Sequence, residues 1–230
     1  MKGLAKPLCV CFLISLALMP ASCAQQPKNI HTGFLPTKVK LHPAPDASGA
    51  MVWSKPGLTW ADAKRYPKIL VGRVRIWYSP DADYKGIDPS ELIVLTNYFR
   101  TAVVRELKQG GYPLVEKAGP GVMVLSAVIT NLKPTEPVLN VLGSVLPVGI
   151  TLNLASTALT GTALNLGEVS IEAKCLDGAN GDLLYAYKDS KTGSKLDFKD
   201  GVTTWGDVKK AFDEWALKLR QRLDKIYGKS

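Results

Sequence analysis

The sequence predicts an α+β fold, a mixed and mainly antiparallel sheet of about five strands covered by two long helices, with an uncharged apolar insertion. Three observations predict it. Residues 88–109 and 204–227 repeat apolar side chains at intervals of three and four, the spacing of one helix face. Five other stretches alternate apolar with polar residues, or run apolar for the length of a strand between turn residues. Pro137 to Gly167 carries no charged residue at all.

The first strand expected is Lys68–Tyr78. Val74 and Ile76 alternate there with Arg73, Arg75 and Trp77, giving one buried face and one basic, wet face. A solvated sheet face is the reading preferred for the arginines, with an anionic ligand as the alternative.

Asp88 opens the first long helix. It is a capping residue followed by Pro89, which suits the first turn, and by Glu91 at capping-box spacing, while Gly110 and Gly111 stop the helix. Its stripe is Leu92, Leu95, Phe99, Val103 and Leu107, with Arg100, Arg105 and Lys108 on or near the outer side. Tyr112–Lys117 reads as a short strand. After the turn Gly119-Pro120-Gly121 comes Val122–Leu132, whose continuous apolar start suits an interior strand.

Glu168–Asp177 and Asp182–Lys188 form a hairpin around Gly178-Ala179-Asn180-Gly181. Asp177, Asn180 and Asp182 miss calcium-loop spacing and read as turn residues. Ser190–Gly201 is a loop. The last helix, about Thr204–Tyr227, keeps Trp205, Val208, Phe212, Trp215, Leu219, Leu223 and Ile226 on one face, with six Lys and Arg residues off it. A basic amphipathic helix can lie on a membrane, but a face this aromatic and wide is expected to dock on the sheet.

The uncharged stretch 137–167 is no transmembrane helix. Gly143, Pro147, Gly149 and Gly161 interrupt it, and Asn140, Asn153 and Asn165 are costly in hydrocarbon. It reads either as a pair of short buried helices or as an exposed apolar flap that contacts lipid or a partner through Leu146, Val148, Ile150, Leu152 and Leu154. Strict alternation from Val148 to Ala155 also keeps a hairpin open.

The amino terminus places the chain. Lys2 and Lys6 precede an apolar run, Leu8–Met19, that is shorter than the roughly 20 residues of a membrane span. Pro20, Ala21, Ser22 and Cys23 follow. This resembles a bacterial lipobox, departing from it at Pro20 where an aliphatic residue is usual, and it marks 1–22 as a signal peptide and Cys23 as the acylated first residue. Ordinary secretory cleavage after Ala24 is the other reading. Ala24 and Gln25 replace the Asp typical of inner-membrane retention, which points to the periplasmic face of the outer membrane. Residues 23–67, with six prolines between 24 and 67, form a lipidated, extended lead, and 68–230 form the single α+β domain. Phe34, Leu35, Val52, Trp53, Leu58 and Trp60 are too apolar for a free tether and are expected to wrap the domain.

Composition sets further bounds. The formal charge of +9 falls to +7 when Lys2 and Lys6 leave with the signal, a moderately basic balance that suits anionic headgroups or wall polymer better than nucleic acid, or simply keeps the protein soluble. Of four cysteines, Cys9 and Cys11 leave with the signal and Cys23 is acylated, so Cys175 has no disulfide partner and is read as a buried, inert thiol. His31 and His42, the two histidines, both lie in the lead, so neither a zinc site nor a triad is supported. Phosphate-binding, dinucleotide-binding and nucleophile-elbow motifs are absent, and carboxylates are scattered. No catalytic residue, cofactor or metal is assigned.

Gly33-Phe34-Leu35, Tyr98-Phe99-Arg100, Gly119-Pro120-Gly121-Val122, Pro137-Val138-Leu139-Asn140, Leu146-Pro147-Val148-Gly149, Ser170-Ile171-Glu172-Ala173 and Trp205-Gly206-Asp207 with Ala211-Phe212-Asp213 and Trp215 are similar, in order and spacing, to the bacterial lipoproteins of the DUF3313 family. The resemblance implies export and lipidation and supplies no activity. The expected function is that of a non-enzymatic binding or scaffolding lipoprotein, held to the membrane by lipid and acting with an envelope protein. The alternatives are a self-assembling subunit of an outer-membrane or secretion complex that uses 137–167, and a cell-wall hydrolase.

Overall fold

The structure, a computed structural model, describes residues 32–46, 48–82, 85–134, 167–192 and 204–229. Within them, one sheet carries β1 (His42–Pro43), β2 (Met51–Ser54), β7 (Leu183–Thr192), β6 (Glu168–Asp177), β5 (Val122–Lys133) and β3 (Lys68–Val71) in that order, with β4 (Arg75–Ile76) beside β3 along the same edge of β5. β3 and β4 run parallel to β5, and the other pairings are antiparallel. The helices are α1 (Trp60–Ala63), α2 (Pro89–Gln109) and α3 (Gly206–Tyr227).

Seven strands replace the expected five for local reasons. The lead contributes β1 and β2, and Pro43 is tolerated because β1 is an edge strand, where a missing N–H breaks no interior ladder. The strand expected over 68–78 divides at Gly72. Its N–H donates to the Leu125 carbonyl at 2.9 Å, and a Cβ there would sit 3.0 Å from the same oxygen. Tyr112–Lys117 shrinks to one bridge, Leu114 to Ile69; Pro113 has no N–H with which to extend it. β7 runs to Thr192, four residues beyond the Lys188 expected.

α2 matches its expected span, with one correction at its start. Asp88 accepts from the Ser90 N–H at 2.7 Å, but Glu91 does not turn back to close a capping box. Its Oε1 accepts from the Trp205 indole N–H at 3.1 Å, joining the starts of α2 and α3. At the other end Gly111 takes φ 66°, and the Tyr112 and Gly111 N–H groups donate to the carbonyls of Leu107 and Lys108, a Schellman closure. A capping box does occur at α1, between Thr59 and Asp62, where none was expected.

α2 and α3 cover one sheet face. Leu95, Phe99, Ala102, Val103 and Leu107 meet Val208, Ala211, Phe212, Trp215, Ala216 and Leu223 over Ile69, Met123, Ile129, Leu132, Val169 and Ile171. The Phe99 and Phe212 rings stack at 4.6 Å, with Trp215 tilted beside both. Ile129 and Leu132 share this face although three residues apart, because a bulge between Ile129 and Asn131 resets the alternation. The last helix therefore docks on the sheet, as its aromatic stripe predicts. Polar ties run alongside the apolar ones. The Tyr98 hydroxyl and Arg105 both donate to Asp213, and Arg220 bridges Glu106 and Asp224.

Candidate functional site

The other sheet face carries no helix among the described residues. Residues 32–41 lie across it as a strap running from the β4 edge towards β1. Phe34, Leu35 and Val39 are buried against Val128 and Ala186, as expected of apolar residues too many for a free tether. Pairing across the sheet places Arg75, Val128, Glu172, Lys188 and Met51 in one row. Their alternation puts side chains of like parity on the strap side.

Glu172 is the polar centre of this face, only 3% exposed. The Thr32 hydroxyl donates to its Oε2 at 2.6 Å, and Lys188 Nζ stands 3.5 Å from its Oε1. A buried carboxylate held this way is a fixed fastening, since removing one member of a buried pair costs about 3–5 kcal/mol. Around it, the Trp77 indole N–H donates to the Thr32 carbonyl at 2.9 Å. Lys174 Nζ donates to the Phe34 carbonyl at 3.3 Å and lies 4.2 Å from the Phe34 ring centre. Burial, reinforced by the charge of Arg75, holds the Lys174 ammonium below its ordinary pKa.

The rim differs in character. Arg73 and Arg75 are exposed, Trp77 is 41% exposed, and the Arg75 guanidinium lies 5.9 Å from the Trp77 ring. The basic, wet face expected from the alternation is present, with Val74 and Ile76 packed on the opposite side.

A second polar cluster lies under α3. Asp189, 4% exposed, accepts from the Trp215 indole and the Tyr187 hydroxyl, both at 2.8 Å, and from the Ser190 N–H at 2.9 Å. These bonds fill the carboxylate and fix the seat of α3. Asp177 and Asn180 bond the turn itself, through the N–H groups of Ala179 and Asp182, while Asp182 pairs with Lys55 at 2.8 Å. The turn reading is therefore the one the structure shows.

Cys175 is partly exposed as a residue, while its thiol is desolvated against the helix-side core, which pushes it up to about 12. Burial likewise lifts the Tyr185 phenol to about 12, and burial with the Asp189 charge raises Tyr187 further. A group whose pKa is raised on folding keeps its proton in the fold where the unfolded chain would lose it. This stability is fully present below about pH 9 and declines towards about pH 12. The urea midpoint should fall across that window, and a midpoint unchanged to about pH 11 would contradict the burial of these groups.

Cys23, Leu146, Val148, Ile150, Leu152 and Leu154 lie outside the described residues, as does His31. The structure does fix where the uncharged stretch leaves and returns. Lys133 and Glu168 are paired neighbours on β5 and β6, so the stretch is the connection of a central hairpin. At that end of the sheet, in the first turns of α2, Ile93 and Val94 are 61% and 58% exposed. The sequence reading missed the strap's polar fastening, because Thr32 and Glu172 lie 140 residues apart and neither belongs to a motif.

The fold and this site define a small α+β body with two helices on one sheet face and the chain's own lead on the other. A family model described as a protein of unknown function, DUF3313, matches residues 31–219, and the chain belongs to that family. No curated protein matches it. Among solved structures, it is similar to a PelC dodecamer from Paraburkholderia phytofirmans at 15% identity and TM-score 0.40, covering 74% of this chain and 92% of that one. It is also similar to a minor lipoprotein from Acinetobacter baumannii, at 10% identity and TM-score 0.30 over 70% and 94%. A neuraminyllactose-binding hemagglutinin homolog from Helicobacter pylori aligns at 10% identity and TM-score 0.32 over 85% and 90%.

Proposed function

We propose that the protein is a lipid-anchored envelope lipoprotein that binds or scaffolds a partner in the periplasm without catalysing a reaction. The carrying observation is the amino-terminal sequence, in which two lysines, a short apolar run and small residues lead to Cys23. The strap supports this reading, since Thr32, fastened to the sheet through Glu172, lies only nine positions beyond Cys23 in the chain. Two or more acyl chains at Cys23 would hold the protein durably, each buried methylene contributing about 0.8 kcal/mol. Radiolabelled fatty acid should enter the wild type and not Cys23→Ala, and only the wild type should remain in the membrane after osmotic shock. Wild-type protein released unlabelled would overturn the anchor.

The hairpin position of 137–167 favours a second reading, a self-assembling subunit whose uncharged connection meets its copies or the bilayer. Ile93 and Val94 supply exposed apolar surface at the same end. A charge at Leu152 should then leave folding intact and abolish the large species in size-exclusion chromatography of soluble Cys23→Ala. Loss of folding would instead assign the stretch to a buried core.

A further inference from the structure

We propose that Arg73, Arg75 and Trp77 form a membrane-apposed corner that contacts the headgroups of anionic phospholipid beside the point where the tether leaves the body. The inference rests on the lipid anchor proposed above. Thr32, the first described residue, is held at this corner by the Trp77 indole through its carbonyl and by Glu172 through its hydroxyl. Thr32 is nine positions from Cys23, so even a fully extended chain between them would reach only about 30 Å. The face at which the tether is fastened is thus the one brought repeatedly against the lipid surface.

The chemistry of the corner fits that surface. Trp77 is the one exposed aromatic among the large hydrophobic side chains exposed in the described residues. An indole flanked by cations suits the boundary where headgroups meet acyl chains. Arg73 and Arg75 are exposed and have no carboxylate partner among the described residues. Their charge is therefore available to an anionic surface within a Debye length of about 8 Å. Each such cation strengthens binding about fivefold. The strap adds Lys38 and Lys40, both exposed, on the same face. Arginines on an edge strand also discourage strand pairing between molecules, a role that would leave Trp77 in water.

The test uses the acylated full-length mature chain in vesicles of phosphatidylglycerol with phosphatidylcholine. Trp77→Cys carries a spin label, and Leu217→Cys on the outer side of α3, 38% exposed, is the reference. The desolvated Cys175 thiol, raised to about 12, stays unlabelled in the folded chain. The label at 77 should be accessible to lipid-soluble oxygen and shielded from a water-soluble quencher, and the label at 217 the reverse. Arg73→Glu with Arg75→Glu should return the label at 77 to water, as should vesicles of phosphatidylcholine alone. Equal aqueous exposure at 77 and 217, or a label at 77 indifferent to charge reversal, would overturn the corner. The anchor is read separately, by the mass of the purified chain. Absence of acyl chains would overturn the anchor, and flotation of that chain with the same vesicles, abolished by the charge reversal, would still decide the corner.

Discussion

Phe212→Ala is expected to destabilise the domain by about 3–5 kcal/mol, the usual cost of removing a fully buried aromatic ring. Phe212 has no exposed surface. Its ring stacks on Phe99, touches Trp215 and lies between the two helices and the sheet, so no one side chain can swing in to fill the space. Domains of this size are stable by about 5–15 kcal/mol in total. Urea unfolding of soluble Cys23→Ala, followed by far-ultraviolet circular dichroism, should therefore show a much lower midpoint, or no folded baseline. A shift below about 1 kcal/mol would mean that α3 does not dock on the sheet through this ring.

Asp189→Ala has the second largest expected effect, about 3–5 kcal/mol, because it strands the Trp215 indole and Tyr187 hydroxyl donors together with the Ser190 N–H. Asn should rescue little, since its amide brings donors where acceptors are needed. A double variant, Asp189→Leu with Trp215→Phe, removes acceptor and indole donor together and should lose less than the two single changes added. Full additivity of the two would show that the carboxylate does not hold the indole. Unlike Phe212→Ala, this variant tests how α3 is oriented rather than whether its face is apolar.

Legibility varied with the range of the interaction involved. Both long helices were legible because each stripe repeats over many turns and local stop signals agree with it, as at Gly110 and Gly111. β6 was legible to the residue, since turn chemistry and alternation coincide there. β1 and β2 were not, because prolines mask a strand signal only two and four residues long, and their pairing depends on β7 about 130 residues away. The Glu91 contact was misread because the local capping partner and the distant Trp205 indole compete for one carboxylate, and tertiary packing decides between them. Thr59 and Asp62, by contrast, carried a local capping-box signal that the proline-rich surroundings obscured.

By itself the sequence determined the apolar faces of α2 and α3 and the places of β3, β5, β6 and β7 along the chain, since each follows from side-chain chemistry within a few turns of chain. It also supplied the alternating arginines of the first strand. Only the tertiary structure decided that the lead closes the second sheet face, that Glu172 and Thr32 fasten it, and that Trp77 and its arginines stand at the same corner. The two hydrogen bonds that hold Thr32 join residues 45 and 140 positions apart. Such pairs leave no periodic trace in a chain, because they exist only once the whole sheet has set its register.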